Sequence, residues 1–150
     1  MTATNHALTG AIIGLTIDKP YLAIPLALIS HFICDAIPHY KSDNFEKLAK
    51  TYRFIEYLSL EACLCFLIVL GLFLARPDHW LAASLCAFLA TSPDFFWIKK
   101  YLSLKNSKQY TANAFEIFAS KIQWFQRPIG GFVELVWFLA AGYIYLSLLH

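Results

Sequence analysis

Pro25-Leu-Ala-Leu-Ile-Ser-His31-Phe-Ile-Cys-Asp35-Ala-Ile-Pro-His39-Tyr40 closes an apolar run that carries no charge between Pro20 and Cys34. From Pro20 to Pro38 the run is 19 residues, close to the ~20 a helix needs to cross ~30 Å of hydrocarbon. Its ionisable groups gather at one end with a spacing of four. That spacing sets side chains one helical turn apart on roughly one face. Two imidazoles and a carboxylate are a common ligand set for zinc and related divalent ions. Pro38 bends or ends the helix, so His39 need not share the face strictly. The plainer reading makes His39 interfacial and Asp35 a cap or a partner for a basic loop residue.

Three further stretches match the first in length. Glu56–Ala75 is interrupted only by Glu61, Trp80–Ile98 carries Asp94 near its end, and Ile129–Leu149 carries Glu134 near its start. The chain is 59% hydrophobic, against about 45–50% for a soluble domain. The expectation is an all-α integral membrane protein: one domain over 1–150, with four transmembrane helices. The 11-residue run Ala7–Ile17 is too short to cross, and enters partway or packs as a short N-terminal helix. Phe115–Phe125 sets Phe115, Phe118, Ile122 and Phe125 at helical spacing opposite Ser120, Lys121, Gln123 and Gln126, and so predicts an interfacial amphipathic helix that docks, or covers a site as a lid. The opening residues lack a basic n-region, so no removable signal peptide is expected. Cys34, Cys63, Cys65 and Cys86 form no CxxC pair and read as small buried hydrophobes.

Charge sets the orientation. The connections 38–56 and 98–129 hold ten of the twelve Lys and Arg residues. Four spans put both connections on one face, and the positive-inside rule makes it cytoplasmic, together with the N-terminus. The location expected is a cytoplasmic, bacterial inner membrane. Basic Lys99–Lys108 reads as an orientation signal and contact for anionic membrane lipids, with no sign of nucleic-acid binding. Trp80, Trp97 and Trp124 suit the interfacial belts.

The unusual residues then converge at one depth. His6, His31, Asp35, His39, Glu61, Asp94 and Glu134 all fall within roughly 10 Å of the cytoplasmic boundary, at 1.5 Å rise per residue. His6 heads a Gly10-x3-Gly14 pair, which permits close helix approach and would bring it toward the Pro20–Pro38 helix. Asp94 follows the helix-breaking Pro93, as ligand, base or helix cap. Glu134 and Glu61 are candidates for a general base, for a partner orienting a histidine, or for a carboxyl kept neutral by burial. Arg127, before Pro128, is a candidate for holding a substrate phosphate or carboxylate, or an interfacial anchor. His79 and His150 lie at the other end.

Asn5-His6-Ala-Leu-Thr-Gly10, Ser30-His31-x3-Asp35-Ala-Ile-Pro38-His39 and Ser92-Pro93-Asp94 together resemble the predicted membrane-bound metal-dependent hydrolases of bacteria, small multi-helix inner-membrane proteins. The resemblance covers the first half of the chain well and the last third loosely. It implies His6, His31, Asp35, His39 and Asp94 as metal ligands or their immediate partners. Many relatives carry a further histidine-rich segment, whereas 80–149 here holds no histidine.

The function expected is metal-dependent hydrolysis of a lipid ester or phosphoester at the cytoplasmic leaflet. Zinc, or else manganese or iron, would lower the pKa of bound water toward ~7. Asp94, Glu134 or Glu61 would be the base. The rival is a non-catalytic metal-binding or transport-related membrane protein. A transport path would need polar groups through the apolar half, and 150 residues are few for alternating access unless a homo-oligomer forms. Haem would need facing histidines on opposed spans, and only His31 lies well inside one.

Overall fold

The computed structural model describes residues 1–40, 45–106 and 109–150. Lys41 and Lys108, which enter the charge reading above, lie outside the described residues. The chain folds as helices: α1 (Ala3–Thr16), α2 (Pro20–Ala36), α3 (Phe45–Leu48), α4 (Tyr52–Ala75), α5 (Trp80–Thr91), a 3₁₀ turn (Ser92–Phe96), α6 (Trp97–Lys105), α7 (Ala114–Ile122) and α8 (Gly130–Ser147). Among the described residues there is no strand, and one isolated bridge pairs His39 with Gln126.

Among the described residues, three helical stretches are long and apolar enough to cross a membrane: Tyr52–Ala75, Trp80–Ser103 and Gly130–Ser147. α2 has 17 residues, about 26 Å at 1.5 Å per residue. It stops two residues short of the predicted 19 because Ile37 turns extended ahead of Pro38, where the proline ring disfavours α geometry. Leu60, Phe66, Leu67 and Leu74 of α4 and Phe132, Leu139 and Tyr143 of α8 are exposed. Outward apolar faces of this kind suit a hydrocarbon surrounding rather than water.

α1 sits in the middle of the molecule, against α2, α4, α5 and α8. It begins at Thr2, whose hydroxyl accepts the Asn5 N–H (3.4 Å), and it starts four residues earlier than the apolar run. Gly10 and Gly14 let it meet α5 backbone to backbone. A Cβ at Gly10 would lie 2.4 Å from the Cys86 carbonyl oxygen, and one at Gly14 would lie 2.4 Å from Ala83 Cα. The glycine pair therefore faces α5 rather than α2. Ala7, Leu8 and Ala11 continue this contact into a core with Ile68, Leu72, Ala83, Ala87, Ala141 and Tyr145. Trp137 and Tyr145 of α8 satisfy their polar atoms inside it, on Thr9 Oγ1 (3.0 Å) and the Ile68 carbonyl (2.5 Å).

α7 is the predicted amphipathic helix. A reciprocal capping box between Asn113 and Glu116 starts it. Its apolar side docks through Phe115 and Phe118 on Phe32 of α2, ring centroids 6.1 and 5.8 Å apart. It ends at Ile122, so Phe125 lies beyond it.

Candidate metal centre

His6 and His31 stack face to face, ring centroids 4.1 Å apart and 25° between planes, both buried. α1 brings the first and α2 the second. His31 is anchored at the far end of α5, where the change to 3₁₀ winding at Ser92 leaves carbonyls without their usual helical N–H partners. Ala90 O accepts from His31 Nδ1 at 2.8 Å. With that nitrogen carrying the proton, His31 Nε2 faces two carboxylates, Asp35 Oδ2 at 3.3 Å and Asp94 Oδ1 at 3.9 Å. A lone pair against two carboxylate oxygens is repulsive unless a cation or a proton lies between them.

Three of the predicted residues bring ligand atoms within 4.8 Å of one another: His6, His31 and Asp94. Asp35 adjoins this group, with Oδ1 3.2 Å from His6 Nε2. Neither ring nitrogen of His6 makes a well-formed hydrogen bond, although the side chain has no exposure. A buried imidazole whose Nδ1 has no partner among the described residues, and whose Nε2 meets only the Asp35 carboxylate, is costly in a bare protein. Two imidazoles with one or two carboxylates are the donor chemistry of zinc and related ions, so the residues present fit such an ion. Asp35 also accepts from the Met1 ammonium and from Gln123 Nε2 (2.7 Å).

The other predicted residues have different surroundings. His39 lies past the end of α2, off the face that carries His31 and Asp35. Its Nδ1 reaches the Ile37 carbonyl (2.9 Å) and its Nε2 the Gln126 amide (3.0 Å). Glu61 Oε2 accepts both the backbone N–H (2.9 Å) and the hydroxyl (2.8 Å) of Thr4, tying α4 to the first turn of α1. Glu134 Oε1 accepts the Tyr40 N–H (3.3 Å), while its carbonyl accepts Asn5 Nδ2 (3.1 Å). The Arg127 guanidinium lies over the Phe125 ring, 5.1 Å from its centroid.

A cleft of about 330 Å³ opens beside the group. Asp94, Glu61, His39 and Gln126 supply its polar lining; Phe54, Tyr57, Leu58 and Trp97 supply apolar wall, and Lys100 also reaches it. Asp94 belongs to both the histidine group and the cleft, which makes it the link between them. Outside the apolar helices, the Glu116 carboxyl at the start of α7 is held below the usual carboxylate range by the Tyr110 hydroxyl and by the Asn113 N–H. The same contact pushes the Tyr110 phenol up to about 12.

Sequence reasoning missed Gln123 and Gln126 as site residues, having placed them on the solvent face of the amphipathic helix. The one available signal was their i, i+3 spacing just ahead of Arg127-Pro128. The chain matches no protein-family profile, no curated protein and no solved structure.

Proposed function

We propose that this chain is an integral membrane, metal-dependent hydrolase whose site opens at the cytoplasmic leaflet and acts on a lipid ester or phosphoester. The observation that carries the reading is the meeting of His6, His31 and Asp94 at the edge of an apolar cleft. His6, His31, Asp94 and Asp35 would hold the ion, zinc or else manganese or iron. When bound, a divalent ion there supplies Lewis-acid polarisation of a carbonyl or phosphoryl oxygen and makes hydroxide accessible near neutral pH. The chain's own residues do the rest. Ala90 holds the His31 ring, so its Nε2 stays aimed at the acidic pair. Phe54, Tyr57 and Leu58 offer apolar contact to an acyl or prenyl chain. Glu61, which lines the same cleft, is the carboxylate that would take a proton from water. Glu134, spent on Tyr40 N–H, is a positioning residue for the His39–Tyr40 segment.

The membrane reading rests on three apolar helices of spanning length, with α2 as a fourth crossing, and on the basic connections that point inward by the positive-inside rule. The resemblance to the predicted bacterial membrane hydrolases implies the same four donors together with His39. The test is metal content of untagged protein purified in detergent, beside His31→Ala and Asp94→Asn, followed by release assays on acyl esters and phosphoesters in mixed micelles. Near-stoichiometric metal in the parent, at least tenfold less in both variants, and metal-dependent turnover of one ester class are expected. A folded parent that takes up no zinc, manganese or iron overturns the reading.

A further inference from the structure

The segment after α7 reaches the histidine group through side chains that form one directional series. His39 Nδ1 lies 2.9 Å from the Ile37 carbonyl, which can only accept, so Nδ1 carries a proton and, in the neutral ring, Nε2 is an acceptor. Gln126 Nε2 donates to that nitrogen at 3.0 Å, and to Gln123 Oε1 at 2.8 Å. Gln123 Nε2 then donates to Asp35 Oδ2 at 2.7 Å. Each orientation forces the next. Turning over the Gln126 amide would set its oxygen against the His39 lone pair and against Gln123 Oε1. Turning over Gln123 would set its oxygen against the Asp35 carboxylate. The backbone locks the two segments side by side: Arg127 N–H donates to the His39 carbonyl (3.1 Å), and a Cβ at Gly130 would lie 2.1 Å from the His39 carbonyl carbon.

We propose that His39, Gln126 and Gln123 form a hydrogen-bond relay that positions Asp35, with one carboxylate oxygen toward each imidazole. Asp35 Oδ1 faces His6 and Oδ2 faces His31, and rotating the carboxylate would forfeit the Gln123 bond. His39 is then the outer anchor of the relay, where the cleft begins, rather than a metal ligand. All three act through Asp35 and are positioning residues. The consequence for metal rests on the reading above; the relay itself does not.

Co²⁺ titration of the detergent-solubilised full chain tests it, read by the visible absorption of the bound ion. Gln123→Met keeps side-chain length but removes the donor to Asp35. It is expected to weaken Co²⁺ binding by about tenfold or more and to shift the absorption bands. Gln126→Met leaves Gln123 on Asp35 and is expected to have a smaller effect in the same direction. His39→Ala is expected to keep full Co²⁺ stoichiometry. Parent-like affinity and spectrum in Gln123→Met overturn the proposal, as does loss of the ion in His39→Ala. Histidine ¹⁵N resonances of the metal-free protein give an independent check. His39 is expected neutral with Nδ1 protonated, and that signature is expected to change in Gln126→Met. An Nε2-protonated His39 in the parent overturns the relay. A parent that takes no Co²⁺ overturns the metal reading instead, and the ¹⁵N result still decides the relay.

Discussion

The two halves of α1 are built on opposite principles. Its first turns, Thr4-Asn5-His6, are polar, buried and tied to three other helices by side-chain atoms. Its later turns, Gly10-Ala11 and Gly14, have no chemistry at all and touch α5 with bare backbone. The contrast teaches a division of labour. Close backbone contact at one end of a short helix fixes its axis, and a fixed axis holds an imidazole against His31 at the other end.

The largest effect expected is from breaking the glycine half. Gly10→Leu drives a side chain into the Cys86 carbonyl, a backbone atom that cannot step aside. Overpacking of this kind costs about 1–3 kcal/mol or more, so thermal unfolding in detergent is expected to fall by many degrees, and bound metal to fall with it. His6→Ala, by contrast, removes a buried ring stacked on His31 but leaves the glycine contact with α5 intact, so it is expected to lose metal and to melt above Gly10→Leu. Equal melting of the two variants would erase the distinction between the halves.

A smaller effect separates tether from ligand inside the polar half. Glu61→Gln weakens two hydrogen bonds from Thr4 by removing the acceptor's charge, worth about 1–2 kcal/mol in unfolding free energy. Metal content is expected to stay at the parent level. Loss of the ion in this variant would move Glu61 into the ligand group.

The smallest effect lies farthest from α1. Asn113→Ala removes the cap of α7, and its amide hydrogen exchange is expected to quicken by roughly two- to fivefold while α1 amides are unmoved. Acid should act in the same direction. The Glu116 carboxyl is depressed in the folded helix, so its support is complete above the unfolded carboxyl range and is lost as pH falls through the lower folded value. Exchange of α7 that stays flat under acidification would remove Glu116 from the cap.

Hydropathy made much of the fold legible. Glu61 and Glu134 interrupt their apolar runs so briefly that helices of spanning length remain readable around them, and Pro93 announced the break that the 3₁₀ turn realises. The His31–Asp35 pair was legible because i, i+4 neighbours share a face of any helix. His39 escaped the same rule because Pro38 ends α2 two residues earlier, and the chain then runs extended along Gln126.

The sequence by itself determined that apolar helices would form and that their ionisable residues would gather at one end, since both follow from local periodicity and the cost of burying charge. Only the tertiary structure decided which of those residues meet. His6 stacks on His31 because Gly10 and Gly14 admit α5, and Gln123 finds Asp35 because a segment 88 residues later folds back over α2. Such pairings depend on backbone approach between distant elements, and no spacing along the chain encodes that distance.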